Sequence, residues 1–382
     1  MMSRKGSLTV SNATNDVERV KPASRFDVGR LLLEGRAFMA LLVVIVVFSI
    51  LSPNYLTVSN MLTMSSHVAI YALLAIGQLL VILNGGIDLS VGSTLGLSGM
   101  VAGFLMQGVR LNSFGVILYP QVWVVVIASC LVGVLVGLIN GVLISRFKVA
   151  AFVATLGMLY VVRGFALLMT NGLTYDNLGG RPDLGNTGFN WLGFNNIATV
   201  PIGVLVMILV AVAASLLLSR TVFGRWLYAS GGNERAAELS GVPVRRVKVW
   251  VYVVSGLCAS IAGIILSSEL TSASPTAGTS YELTAIAAVV IGGAALTGGR
   301  GNLRGTLLGA FVIGFLSDGL VIIGVSAYWQ TVFTGAVIVA AVLLNTIQYR
   351  DRRRRNQPGQ QPPASTSGDQ PTTEPASEPA GD

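Results

Sequence analysis

The sequence predicts an all-α polytopic membrane protein of about ten transmembrane helices, and two observations predict it. The 382 residues are 53% hydrophobic and only 11% charged, whereas a soluble domain is about a quarter charged. The apolar residues form runs long enough to cross ~30 Å of hydrocarbon, and most cations lie in the segments between runs. The net charge of +8 therefore indicates membrane orientation, since no basic face suggests nucleic acid.

Three parts follow from the distribution of polar residues. Residues 1–36 are polar and mixed in charge, which predicts a cytoplasmic N-terminal tail, and residues 37–349 hold the apolar runs. Residues 350–382 are first basic and then rich in Gln, Pro, Ser and Thr, a composition that predicts disorder. The spans are predicted, in order, at 37–51, 66–83, 92–108, 122–145, from about 149, 197–218, 249–268, 283–296, and twice within 305–349, divided at 324–328.

The orientation follows from the lysines and arginines. With ten spans and the N-terminus inside, 22 of the 25 lie on one side of the membrane. Positive residues stay on the cytoplasmic side, so we expect both termini there.

Two motifs interrupt the apolar pattern. The first, Asn84 to Ser93, reads N-G-G-I-D-L-S-V-G-S and predicts a helix break in which Asp88 or Ser90 caps the next helix. The second is the basic loop Ser219–Lys248, which holds a short helix-forming run from Glu234 to Ser240. Asn233 is placed to cap that run and Gly241 to end it, as expected of a docking element between two spans.

Three stretches together resemble the ribose/xylose-type sugar permeases of ATP-binding-cassette (ABC) importers, of the type II architecture. They are G-G-I-D-L-S-V-G-S, the G-R-W-L-Y-A-S-G-G-N-E-R-A-A-E-L-S-G-V run of the loop, and Y-E-L-T-A-I-A-A-V-V-I-G-G-A-A-L-T-G-G-R-G-N at Tyr281–Asn302. The resemblance covers about 37–345, which makes 37–349 a transmembrane permease domain with 219–248 as its coupling loop. Ala236, Ala237 and Gly241 match the classical coupling pattern, but Arg235 stands where that pattern has glutamate.

The resemblance implies a multi-pass protein of a prokaryotic plasma (inner) membrane that imports a monosaccharide. It also implies three protein partners: a cytoplasmic ABC ATPase, an extracytoplasmic sugar-binding protein and a second permease copy, identical or paired. No P-loop motif occurs in the sequence, so we expect ATP hydrolysis in a separate subunit and no enzyme activity here. The one histidine, His67, is expected at a helix end. With only two cysteines besides, we expect no catalytic site, metal or other cofactor.

Two sets of residues are candidates for the transport path. Polar side chains at membrane depth form the first set: Gln78, Asn84, Asp88, Asn140 and Asn171. A structural role, as a helix cap for Asp88 or a helix–helix hydrogen bond for Asn140, is an equal or better explanation of those two. The second is a charge pair, Arg163 with Asp318, which lie ~22 and ~21 Å along outward-running spans and are each costly alone in lipid.

Other functions remain open from sequence alone. A branched-chain amino-acid or nucleoside ABC permease has the same architecture, and an ATP-independent secondary transporter also has about ten spans. The capped basic loop favours an ABC permease over a secondary transporter, and the wording of the motifs favours sugar over amino acid.

Overall fold

The computed structural model describes residues 35–113 and 115–355, so the predicted tails at 1–34 and 356–382 lie outside the described residues. The described chain is mostly helical, which confirms the all-α class. Its helices are α1 (Arg36–Leu51), α2 (Val58–Leu83), α3 (Val91–Met106), α4 (Val122–Ser145), α5 (Ala151–Leu168), α6 (Trp191–Phe194), α7 (Ile202–Arg220), α8 (Val222–Gly232), α9 (Glu234–Leu239), α10 (Val244–Glu269), α11 (Tyr281–Ile291), α12 (Leu303–Ile322) and α13 (Ala327–Arg355).

Within residues 35–113 and 115–355, six helices are long and apolar enough to cross a membrane, by length and composition: α2, α4, α5, α7, α10 and α12. Four shorter apolar segments, in α1, α3, α11 and the first half of α13, coincide with the four remaining predicted spans. A polytopic helical protein is therefore confirmed, while the number of about ten crossings stays a prediction.

Helix α2 lies at the centre of the bundle. Its window of highest hydropathy is 89% buried, and it packs against α7, α10, α11 and α12. A helix that is apolar on every face belongs in an interior, and α2 has that composition. The predicted start at Ser66 was too late: the helix begins at Val58, because a polar turn precedes the apolar run and Asn60 is bonded to the Tyr55 carbonyl.

Helices α4 and α10 form the closest helix pair around α2. A Cβ on either Gly133 or Gly256 would overlap the carbonyl oxygen of the other, so the two backbones touch. Close approach through small residues is the usual way in which membrane helices associate, since lipid supplies no hydrophobic force between them.

Helix α11 is shorter than the predicted span at 283–296. It ends at Ile291, because the chain turns back at Gly293, whose φ is +93°, and the Ala294 amide bonds to the Val289 carbonyl. Eleven residues cover only ~16 Å, about half of a hydrocarbon core.

In the described part of the chain, the connections contain three short two-stranded sheets. Strands β1 (Val109–Leu111) and β2 (Val116–Leu118) form a hairpin, and so do β4 (Asn196–Ile197) and β5 (Val200–Pro201). Strand β3 (Tyr175–Asp176) pairs with β6 (Ser272–Ala273), which ties the long connection after α5 to the loop after α10.

Candidate functional site: the coupling loop and the interrupted helices

The coupling loop folds into two helices, α8 and α9, at one end of the bundle, here termed the loop end. The Asn233 side chain caps α9 by accepting a hydrogen bond from the Ala236 amide at 3.0 Å, as predicted. Gly241 takes a left-handed φ of +83°, and the Val242 amide bonds to the Ala237 carbonyl at 3.0 Å. These two contacts define the short helix that the sequence indicated.

The faces of α9 differ in exposure. Ala237 is 5% exposed and packs inward, whereas Leu239 is 76% exposed in a charged neighbourhood. Glu234 faces its own chain, since it accepts a hydrogen bond from Lys248 Nζ at 2.7 Å. Arg235 points outward and lies 3.9 Å from Glu238. The outward face of α9 therefore presents one large apolar side chain, Leu239, beside the exposed charges of Arg235 and Glu238.

A cavity of about 400 Å³ lies between the coupling loop and the nearby ends of α2, α4, α5 and α10. Glu234 and Glu238 line it from α9, and Lys148, Arg245 and Lys248 line it from the other side. The cavity has mixed charge and an opening toward the loop end.

The predicted helix break lies inside the bundle and is held by a buried polar network. Asp88 is 1% exposed and accepts three hydrogen bonds, two from the Ser90 amide and hydroxyl, at 2.9 and 2.7 Å, and one from the Ser255 hydroxyl, at 3.0 Å. Asn140 donates to the Ser90 hydroxyl at 2.9 Å. Ser90 occupies the N-cap position of α3 without a capping side-chain bond, so Asp88 fixes the turn before α3 and not its first amides.

Gln78 belongs to the same network. With its amide nitrogen toward the Asp88 carbonyl and its amide oxygen toward the Asp88 amide, it makes both hydrogen bonds, at 3.1 and 3.2 Å. The side chains of Gln78, Asp88 and Asn140 are all fully buried between helices of this chain.

The two other path candidates lie elsewhere. Asn84 is bonded through its side-chain nitrogen to the Ser230 hydroxyl in α8, at 3.0 Å. Asn171 is exposed just beyond the end of α5 that lies away from the loop end, and it has a left-handed φ of +53°. Four of the five candidates therefore lie around the break and the coupling loop, and Asn171 does not.

The predicted direct pair between Arg163 and Asp318 is not formed. Arg163 Nη1 donates to two backbone carbonyls, those of Pro275 and Ala277, at 2.5 and 2.8 Å. Asp318 instead bonds to His67 Nδ1 at 3.0 Å. Arg163 and Asp318 have different partners although similar depths were predicted for them, because the loop after α10 lies nearer to Arg163 and the central helix α2 lies nearer to Asp318.

The expectation that His67 ends a helix was wrong. It lies within α2, where its other ring nitrogen is 3.7 Å from Glu269 Oε1. We term His67, Glu269 and Asp318 the histidine cluster. It joins α2, α10 and α12 in the half of the bundle away from the loop end, and one carboxylate oxygen of each acid is buried without a hydrogen-bond partner within the described residues.

Sequence reasoning missed several residues that these sites use: Ser255, Glu269 and Ser230. Serines are ordinary in membrane helices, so only tertiary contact distinguishes the two serines. Glu269 did carry a signal, as the one acid directly after a long apolar run. Within residues 35–113 and 115–355, no group of three His, Cys, Asp or Glu side chains is arranged to hold a metal ion.

Comparison with known proteins identifies the family. Residues 60–342 match the family model described as the permease component of the branched-chain amino acid transport system. The chain belongs to this permease family.

Curated relatives extend the comparison across most of the chain. The ribose import permease RbsC of Escherichia coli is 43% identical over 82% of this chain and 94% of its own length. RbsC of Bacillus subtilis is 45% identical over 81% and 91%. The L-arabinose transport system permease AraH of Escherichia coli is 32% identical over 87% and 96%. No solved structure matches the chain. The resemblance to sugar import permeases drawn from three motifs is confirmed.

Proposed function

We propose that this chain is the membrane-spanning permease subunit of an ATP-driven importer that passes a monosaccharide into the cytoplasm. The observation that carries the proposal is the 43% identity to a ribose import permease over nearly all of that permease's length. The relatives carry ribose and arabinose in their names, which supports a pentose or a related sugar as the substrate. The protein is a multi-pass component of a prokaryotic inner membrane.

The loop end faces the cytoplasm in this proposal, with both termini on the same side. The support is the placement of the cations, since 22 of the 25 lysines and arginines fall there if the six long and four shorter apolar helices all count as spans. Helix α11, which is short, enters from the outer side, and the chain continues beyond it to Gly299, whose amide bonds to the Leu83 carbonyl at the loop end.

A separate cytoplasmic ATPase binds the outward face of α9. Leu239 supplies the apolar anchor, and Arg235 and Glu238 supply polar contacts around it. Interfaces of this kind concentrate their free energy in a few side chains that are desolvated at the centre. When the ATPase closes on ATP, α9 moves, and a sugar delivered by an extracytoplasmic binding protein passes between this permease and a second copy.

The buried polar network has a supporting role. Gln78 bonds to the Asp88 backbone, and Asn140 donates to the Ser90 hydroxyl that in turn donates to Asp88, so we assign these residues to the stability of the helix break and not to sugar contact. The histidine cluster, which holds three helices together toward the outer side, takes the place beside the transport path first expected of Arg163 with Asp318.

Reconstitution tests the proposal. The permease, its cognate ATPase and its binding protein are assembled in liposomes that enclose ATP, and uptake of radiolabelled ribose, galactose, arabinose and leucine is measured. We expect uptake of one sugar that requires both ATP and the binding protein. An ATPase whose P-loop lysine is replaced serves as the control.

The same assay distinguishes the alternatives. The family description favours a branched-chain amino acid as the second candidate substrate, and uptake of leucine without any sugar would select it. Sugar uptake without ATP or ATPase would select a secondary transporter and overturn the proposal.

A further inference from the structure

Three segments that are far apart in sequence meet at the loop end. They are the end of α2 at Leu83–Gly85, the last turns of α8 at Tyr228–Gly231, and the turn Gly298–Gly301 before α12. We term them together the glycine junction. Each segment overlaps a different one of the three motifs in which the sequence resembles sugar permeases.

Hydrogen bonds link each segment to another. The Gly299 amide donates to the Leu83 carbonyl at 2.9 Å. The Asn84 side chain donates to the Ser230 hydroxyl at 3.0 Å, and the Tyr228 hydroxyl donates to the Gly301 carbonyl at 3.0 Å. Burial raises the pKa of the Tyr228 hydroxyl above its usual value, which keeps it protonated as a donor.

The backbones touch because side chains are missing. A Cβ on Gly231 would overlap the Leu83 carbonyl oxygen and lie 2.8 Å from the Gly299 nitrogen. Gly298 has a φ of +87°, and a Cβ there would lie 2.8 Å from the Gly231 oxygen and 3.0 Å from Gly85 Cα. Backbone packed on backbone has no flexible side chain to absorb a displacement, so the three segments move as one.

The junction lies between the docking helix α9 and two interrupted segments of the bundle, which are the break after α2 and the turn before α12. Helix α8 ends at Gly232, and the next residue, Asn233, caps α9. Leu83 is the last residue of α2, directly before the break that leads to α3. On the third side, Asn302 caps α12 immediately after Gly301.

We infer that the glycine junction is the link that transmits movement of the docking helix α9 to the helix ends of α2 and α12. Tyr228, Gly231 and Asn84 are positioning residues: they keep α8 seated on the two interrupted segments. This inference rests on the proposed function, because it deepens how ATP hydrolysis drives transport. It assigns a role to the glycines of all three motifs, which docking alone leaves unexplained.

The test measures sugar moved per ATP hydrolysed in the reconstituted complex, with whichever of ribose, galactose and arabinose supports wild-type uptake. Gly231→Ala forces α8 away from Leu83. We expect ATP hydrolysis to continue and the sugar-to-ATP ratio to fall about fivefold or more. Gly232→Ala is the matched control, since its Cβ would enter open space, and we expect the wild-type ratio.

A second variant covers the case in which Gly231→Ala fails to insert or assemble. Tyr228→Phe removes one hydrogen bond and adds no volume, and we expect the ratio to fall about two- to tenfold with normal ATPase binding. A ratio equal to wild type in Tyr228→Phe, or equal in Gly231→Ala and Gly232→Ala, overturns the inference. Failure of the proposed function looks different, because the wild-type complex would then show no ATP-dependent sugar uptake.

Discussion

At the scale of single residues, the two faces of α9 decide which substitution can test the proposed docking. Ala236, Ala237 and Gly241 match the coupling pattern, yet Ala237 packs inward. A glutamate placed at Ala237 would bury a charge and damage the loop itself, so it tests folding more than docking. Under the proposed function, the exposed Leu239 is the residue whose change tests docking of the ATPase.

We predict that Leu239→Glu weakens binding of the ATPase about tenfold or more, because it puts a charge where a desolvated anchor is needed. The thermal stability of the isolated permease should stay at the wild-type value, since the side chain is 76% exposed. The dissociation constant of the detergent-solubilised complex provides the measurement.

Ala237→Glu is the informative comparison for that experiment. It should lower the melting temperature of the permease alone, which Leu239→Glu should not. Unchanged ATPase affinity in Leu239→Glu would mean that another face of the loop docks.

The partners of charged residues were beyond the reach of the sequence. Depth along the spans placed Arg163 and Asp318 at similar levels, and that reasoning treats charges as if only other charges could satisfy them. Arg163 is satisfied by two backbone carbonyls in the loop after α10, and a carbonyl is carried by every residue type. The Asn233 cap, by contrast, was predictable because it acts within three residues of itself.

At the scale of helices, the histidine cluster ties α2, α10 and α12 together. His67 has a carboxylate near each ring nitrogen, Asp318 at 3.0 Å and Glu269 at 3.7 Å. The Asp318 contact is a hydrogen bond, whereas the Glu269 contact is longer than one and is an ion pair when the imidazole is charged. Contacts that bridge three helices resist their separation.

We predict that His67→Gln and Asp318→Asn each lower the stability of the permease by about 1.5–3 kcal/mol, the usual contribution of a hydrogen bond to a charged group. The double variant should lose less than the sum of the two, because both changes remove one shared contact. Thermal unfolding in detergent measures all three, with Ser317→Ala as a neighbouring control. Strict additivity would show that His67 and Asp318 act independently.

Helix boundaries were predicted to different accuracy for a physical reason. The fourth span, 122–145, was predicted to the residue, since polar residues bound an uninterrupted apolar run. Helix α11 was overestimated, because Gly292–Ala295 continue the apolar run although the chain has already turned. Hydropathy indicates only that residues 292–295 are buried away from water. The end of α11 is set instead by backbone contacts with α12 and the glycine junction, which hydropathy does not report.

At the scale of the whole molecule, the placement of the cations predicts which helix ends face the cytoplasm. The six long helices and four shorter ones are compatible with ten crossings, and the cations favour the loop end as the inner side. The β1–β2 hairpin follows α3, which starts at the buried break and runs away from the loop end, so it belongs on the other side. The two regions therefore provide probes for opposite faces of the membrane.

We predict that a membrane-impermeant maleimide labels Asn112→Cys in intact cells and labels Arg235→Cys only after the cells are permeabilised. Both positions are exposed, so access to the reagent and not burial decides the result. The native thiols, Cys130 and Cys258, are first replaced by alanine, and the cysteine-free protein serves as the control for background labelling. Labelling of Arg235→Cys in intact cells would invert the topology and move the docking face of α9 away from any cytoplasmic ATPase. Labelling of both positions without permeabilisation would place them on the same face, so an even number of crossings would separate them, and one of α4, α5 and α7 would then have to be removed from the count.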